Sequence, residues 1–254
     1  MATAQLHHRS AGTGRPSTIH NRVFFLISTA LIAAVVAGVA AATRSNKWWW
    51  DNLAGPDSSN FVPSDQIKKA NVNQLEVAWF YPYATPGFNP IVVDDMIYVL
   101  GRGSSLIALD AATGKELWIH EGLAGITSRG VNYWQSEDGK DRRLLFSINS
   151  FLQEIDARTG KSILTFGENG TVDLRHGLAR AEQYAGRIQS NSPGKIYKNL
   201  IILGSAPGEA FVNPPGDIRA YDVRNGHLRW QFHVVPRASS TDIEPQLFTP
   251  PTYL

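Results

Sequence analysis

Three segments of this chain carry one pattern, and it limits the possible folds more than any other feature of the sequence. They are LIALDAATGKELW (Leu106–Trp118), LQEIDARTGKSIL (Leu152–Leu164) and IRAYDVRNGHLRW (Ile218–Trp230). In each, an aspartate follows alternating apolar residues, a glycine stands four positions later, and a bulky apolar residue stands four after that. The resulting triplets are Asp110, Gly114 and Trp118; Asp156, Gly160 and Leu164; and Asp222, Gly226 and Trp230. Asp-x-x-Thr-Gly or Asp-x-x-Asn-Gly between two such runs is hairpin chemistry. The carboxylate accepts backbone N–H groups, and glycine takes a positive φ without steric penalty. The Trp that follows is expected to point from the next strand into the gap between neighbouring sheets.

The aspartates are 46 and 66 residues apart. The first spacing suits one four-stranded propeller blade, and the second suits a blade carrying an insertion. Other runs read as further strands: LEVAWFY (Leu75–Tyr81), IVVDDMIYVL (Ile91–Leu100), RLLFSI (Arg143–Ile148) and KIYKNLIILG (Lys195–Gly204). Each is short, rich in β-branched or aromatic residues, and bounded by turn residues. After residue 46 there is no long amphipathic helix, although Asp65–Leu75 has room for one short helical turn. The chain from Lys47 therefore reads as all-β. A sandwich is the alternative, and the regular Asp-Gly-Trp spacing favours a propeller.

The first 46 residues differ. From Val23 to Thr43 run 21 residues without a charge, bracketed by Arg22 and Arg44. About 20 apolar residues in a helix span a bilayer, so this stretch suits a transmembrane anchor. A cleaved signal is the second reading, with Ala40-Ala41-Ala42 as its small-residue site. Both place the basic N-terminus in the cytoplasm and the remainder outside it. The domain reading is thus 1–46 as N-terminus and anchor, and 47–254 as the β array.

Charge and cysteine content remove other classes. The net charge is +2, but Arg9, Arg15 and Arg22 precede the apolar run with no acidic residue among them. Without those three, 21 basic residues face 22 acidic ones, and no basic stripe remains for nucleic acid. With no cysteine there is no disulfide framework, thiolate zinc site or cysteine nucleophile.

Four stretches, in order, resemble the N-terminal half of the pyrroloquinoline quinone (PQQ)-dependent dehydrogenases, quinoproteins built on an eight-bladed β-propeller. They are NFVPSDQIKKANVNQLEVAW (Asn60–Trp79), SRGVNYW (Ser128–Trp134), FGENGTVDL (Phe166–Leu174) and PGDIRAYDVRNGHLRWQFHVVP (Pro215–Pro236). Within that family the chain is most similar to the membrane-anchored glucose or aldose dehydrogenase branch. Many alcohol enzymes carry adjacent cysteines before the Arg-Gly-x-x-Tyr segment, and GLAGITS (Gly122–Ser128) has none. The resemblance implies an oxidoreductase of sugar or alcohol hydroxyls. It would sit at a bacterial inner membrane with its propeller in the periplasm, use PQQ with Ca²⁺ or Mg²⁺, and pass electrons to ubiquinone.

The resemblance also implies site residues. Arg129, in SRGVNYW, matches the family's arginine that approaches the cofactor. Glu209, in GSAPGEA, stands five residues after Gly204, the offset of a calcium-ligating glutamate. Ser205 and Gly208 would supply loop contacts, and Ser147 a hydroxyl from the preceding blade. Trp79, Trp118 and Trp230 read as docking residues between blades. His120, His176, His227 and His233 read as surface or blade-edge residues, since their spacing suits no metal site. At about 40–50 residues per blade, residues 47–254 hold four to five blade equivalents. The stacking tryptophan, the metal-binding Asn and the catalytic aspartate that the family places downstream find no match, so no catalytic residue is assigned. The expectation is a truncated member that is inactive alone. A non-enzymatic propeller serving as an assembly scaffold is the alternative, and a binding module that pairs with another chain is a third.

Overall fold

In the computed structural model, the described residues are 60–61, 66–82, 87–178, 185, 187–188, 191–205 and 215–234. They belong to the unit Asn46–Leu254. The expected span 23–43 lies outside them, and among the described residues no helix is long and apolar enough to cross a membrane.

Twelve strands form three four-stranded antiparallel meanders. The first blade holds β1 (Ile91–Val93), β2 (Met96–Leu100), β3 (Leu106–Asp110) and β4 (Glu116–His120). The second holds β5 (Asn132–Gln135), β6 (Arg142–Ile148), β7 (Phe151–Asp156) and β8 (Thr171–Asp173). The third holds β9 (Lys195–Tyr197), β10 (Leu200–Leu203), β11 (Ile218–Asp222) and β12 (Leu228–Phe232). In each sheet the strands lie side by side in chain order. Two runs that read as single strands are hairpins. Asp94 (φ 51°) breaks Ile91–Leu100, and Lys198 (φ 54°) breaks Lys195–Gly204. The helical turn expected within Asp65–Leu75 is the 3-10 turn Val72–Gln74.

The repeated aspartates act as the sequence demands. Asp110 Oδ1 accepts the backbone N–H of Ala112 (3.1 Å) and Thr113 (2.8 Å), and the Thr113 hydroxyl. Asp156 repeats this with Arg158 and Thr159. At Asp222 the Arg224 backbone and guanidinium take over that role. These bonds favour the ionised carboxyl, so Thr113 holds Asp110, and Arg224 holds Asp222, below the usual carboxylate range. Gly114, Gly160 and Gly226 take φ values of 70°, 69° and 76°.

Those glycines also receive the neighbouring blade. A Cβ added at Gly160 would stand 2.6 Å from the Trp118 ring, and one at Gly114 would stand 2.6 Å from the Trp79 ring. Each indole N–H then donates to a backbone carbonyl of the same turn, Trp79 to Ala111 (3.1 Å) and Trp118 to Ala157 (3.2 Å). Two of the three expected docking tryptophans are therefore in place. Trp230 is 40% exposed, with no aromatic pairing among the described residues.

The second repeat departs from the pattern. After Gly160 only an isolated bridge, Ile155 to Ser162, continues the ladder, and β8 pairs instead with the start of β7. Leu164 is left 69% exposed, and Gly226 is met by Val172 and by the backbone of Gly167. The turn Gly167–Gly170, with φ of 56° and 88° at its glycines, carries the chain back to supply that replacement.

The described residues form three blades, fewer than the four to five expected from length. Two stretches that the arithmetic counted as blade lie outside any sheet. The described residues between 60 and 90 contribute no ladder strand, so Leu75–Tyr81 runs unpaired. A long connection then joins Asp173 to Lys195, burying Leu174, Ala185 and Ile188 against the second and third blades.

Two apolar clusters fill the gaps between blades. Tyr98, Leu106, Leu144 and Phe146 anchor the first, and Leu145, Phe166, Ile201 and Tyr221 the second. One buried polar clamp crosses the second gap. Arg143 contacts Asp141 and Glu154 within its own blade and donates to the Val223 and Arg224 carbonyls of the next (3.1 and 3.0 Å).

Candidate functional site

The meander fixes which chain ends meet. In every blade the second strand runs out towards the end from which the third returns. Ser147 ends β6 and Ser205 follows β10, so they stand at equivalent ends of neighbouring sheets. Arg129 lies three residues before Asn132, the β5 residue that pairs with Leu145 near the same end of β6. The topology thus brings Arg129, Ser147 and Ser205 to one rim. Gly208 and Glu209 lie outside the described residues.

The strand carrying Arg129 is stapled on both sides. Ile126 bridges Ile148, and Thr127 N–H donates to the Ser147 carbonyl (3.0 Å). The fully buried Thr127 donates its hydroxyl to the Asn191 carbonyl (2.5 Å), next to the third blade. Asn89 holds the Arg129 carbonyl through its backbone (3.4 Å) and its side-chain amide (3.1 Å). Gly130, at φ 142°, takes a backbone conformation that a side chain would resist. The backbone around Arg129 is therefore held by β6, Asn191 and Asn89, while its exposed guanidinium has no hydrogen-bond or ion-pair partner among the described residues.

Asn132 adds to this. It is 1% exposed and donates its amide to the Pro193 carbonyl, yet its Oδ1 meets no donor among the described residues. Buried polar atoms are normally satisfied, so such an atom marks a place where a ligand or water belongs. The exposed cation of Arg129, three residues earlier in the chain, suits a bound anion with hydrogen-bonding groups. Ser147, 6% exposed, lies one strand away. The residues present thus fit an anionic, polar cofactor. No group of three or more His, Asp or Glu side chains placed to hold a metal ion occurs among the described residues.

Sequence reading missed a second cluster at this rim. His233, expected at the surface or a blade edge, is 4% exposed, and its Nδ1 is 2.8 Å from Asp217 Oδ2. Gln231 donates to the same oxygen (2.7 Å), and the Ser205 hydroxyl donates to the Asp217 carbonyl (3.0 Å). Counting outward from the Asp222–Gly226 turn would set residue 217 beside residue 232; the register shift between Ala220 and Tyr221 brings His233 there instead. The spacing between histidines alone hid it.

A shallow groove of about 480 Å³ lies between β8 and the Gly226 turn. Phe151, Glu168, Asn169, Asp173 and His176 line it.

Comparison with known proteins agrees with this architecture. Residues 49–249 match the family model described as the PQQ glucose/ethanol/alcohol dehydrogenase β-propeller domain. Quinoprotein glucose dehydrogenase A of Acinetobacter calcoaceticus is 28% identical, the match covering 68% of this chain and 26% of the relative. The quinate/shikimate dehydrogenase (quinone) of Acinetobacter baylyi is 31% identical, with 68% and 26% covered. Among solved structures, a quinohemoprotein alcohol dehydrogenase from Pseudomonas putida HK5 superposes with a TM-score of 0.57 at 26% identity, over 79% of this chain and 28% of that one. The chain spans about a quarter of the length of the curated relatives it matches. On the extent of the family match and the blade geometry together, the chain belongs to the PQQ-dependent glucose/ethanol/alcohol dehydrogenase β-propeller family.

Proposed function

We propose that this chain builds one side of the cofactor pocket of a PQQ-dependent dehydrogenase that oxidises a sugar or alcohol hydroxyl. One observation carries the reading. The Arg129 backbone is held at the rim, its exposed guanidinium has no partner among the described residues, and three residues on, the buried Asn132 carries an unsatisfied Oδ1. PQQ is a planar tricarboxylate, and a guanidinium fork binds such oxygens better than a lysine would. Bound PQQ supplies the hydride acceptor for substrate oxidation.

In this reading Ser147 and Ser205 offer hydroxyls to the cofactor. Gly208 offers backbone contact, and Glu209 a carboxylate for Ca²⁺ or Mg²⁺, which take oxygen ligands. No residue of this chain is assigned as the general base. The uncharged run 23–43 anchors the chain in a bacterial inner membrane, with the blades in the periplasm and ubiquinone as electron acceptor. The names of the relatives, which act on glucose, quinate or shikimate, support the substrate class.

The test is a PQQ titration of the chain at limiting Ca²⁺, followed by cofactor fluorescence. Arg129→Ala should weaken binding by about 1.5–3 kcal/mol, tenfold or more, as expected for loss of a charge-assisted hydrogen bond. Glu209→Gln should raise the Ca²⁺ concentration needed. Parental titration curves for both variants would return these residues to an ordinary surface role.

A further inference from the structure

We infer that Asp217, His233 and Gln231 form a buried device that positions the Ser205 hydroxyl at the cofactor rim. The inference rests on the assignment of Ser205 to the PQQ pocket. Its basis is the register of the third blade. Leu203 pairs with Arg219 and Ile218 with Phe232, so extending both ladders sets Ser205 opposite Asp217 and Asp217 opposite His233. Three residues on three adjacent strands thus share one cross-strand row, at the end where Ser205 leaves the sheet.

The contacts along that row run in one direction. His233 Nδ1–H and the Gln231 amide both donate to Asp217 Oδ2. Asp217, 0% exposed, then accepts the Ser205 hydroxyl on its own carbonyl. Burying a carboxylate beside an imidazole is expensive unless each makes good hydrogen bonds. Here Gln231 of β12 and His233 just beyond it fix the carboxylate, and with it the residue whose carbonyl orients Ser205. The serine hydrogen is committed to Asp217, so its oxygen lone pairs are left to accept from a ligand. Gly208 and Glu209 follow Ser205 by only three and four residues, so the row also fixes where that stretch begins. Arg219, next along the same face and 2% exposed, donates to the His176 carbonyl (3.3 Å) and ties the row to the second blade.

His233 and Gln231 are positioning residues, acting on the ligand through Asp217 and Ser205. The test is PQQ titration of the full chain at fixed Ca²⁺, with thermal midpoints recorded separately without PQQ. Ser205→Ala and His233→Leu should each weaken PQQ binding about tenfold. The double variant should be no weaker than Ser205→Ala alone, because the two act in series. His233→Gln keeps an N–H donor and should bind within about twofold of the parent. Should His233→Leu fail to fold, Gln231→Ala removes one of the two donors and should still lose about threefold. Additive losses in the double variant, or parental affinity in both His233→Leu and Gln231→Ala, would overturn the positioning role. Arg129→Ala separates the two levels. If it weakens binding while the His233 and Gln231 variants do not, only this inference fails; if it and Ser205→Ala both bind as the parent does, the pocket reading fails and takes this inference with it.

Discussion

At the scale of single residues, the least expected group is Glu154. Its side chain is fully buried in the second blade, and its Oε2 has no hydrogen-bond partner among the described residues. Desolvation by burial pushes its pKa up to about 8, outweighing the opposing pull of Arg143. The folded state therefore holds a proton that the unfolded chain releases near the ordinary glutamate pKa of about 4.3. Stability from this group is full below that value and falls as pH rises towards 8. Glu154→Gln keeps the shape and removes the titration. Its thermal midpoint should therefore vary less between pH 5 and 8 than the parent's, which a series of thermal melts checks. Equal slopes in the two proteins would mean that Glu154 is ionised throughout.

At the scale of elements, blade docking depends on an indole seated on a glycine turn. Trp118→Ala should cost about 3 kcal/mol, since it opens a void between the first two blades and leaves the Ala157 carbonyl with the Tyr98 hydroxyl as its one side-chain donor among the described residues. Leu164 occupies the corresponding place in the second repeat yet faces solvent. Leu164→Ala should therefore stay within about 0.5 kcal/mol of the parent. Gly160→Ala meets both the positive φ and the Trp118 ring, and should destabilise by more than 1 kcal/mol, on the order of the strain at such a site. Denaturant unfolding of the three variants separates these cases. A large loss at Leu164 would show that the apparent symmetry of the three repeats holds in solution.

At the scale of the whole molecule, the exposed apolar groups stand where further sheet would pair. Val77 and Phe80, on the unpaired run Leu75–Tyr81, are 84% and 86% exposed, while Trp79 beside them is already docked. Unpaired strand edges flanked by apolar side chains promote association. Residues 47–254 expressed alone should self-associate in analytical ultracentrifugation, and a monodisperse monomer with a cooperative melt would count against this. The 254-residue chain should show no glucose-dependent dye reduction with PQQ and Ca²⁺ added. Robust activity would reveal a base among residues to which no such role is assigned. A reporter fused after Leu254 should be active only in the periplasm, given the basic flank ahead of Val23.

Much of this molecule follows from local chemistry, and the sequence carries local chemistry directly. Asp110, Asp156 and Asp222 cap their turns, and Gly114, Gly160 and Gly226 take positive φ, because both requirements are met within five residues of chain. The hairpins at these turns and the docking of Trp79 and Trp118 follow from that spacing. What lay beyond the sequence depends on groups distant along the chain. Leu164 lost its docking place because Gly167–Thr171 turned back to fill the space over Gly226. His233 became buried because the β11–β12 register set it opposite Asp217, and no spacing between histidines encodes that pairing. Asn132 and Glu154 acquired their unsatisfied oxygens only when neighbouring blades closed over them. Turns are decided by bonds within a few residues; burial is decided by what arrives from elsewhere, so only the tertiary structure could settle it.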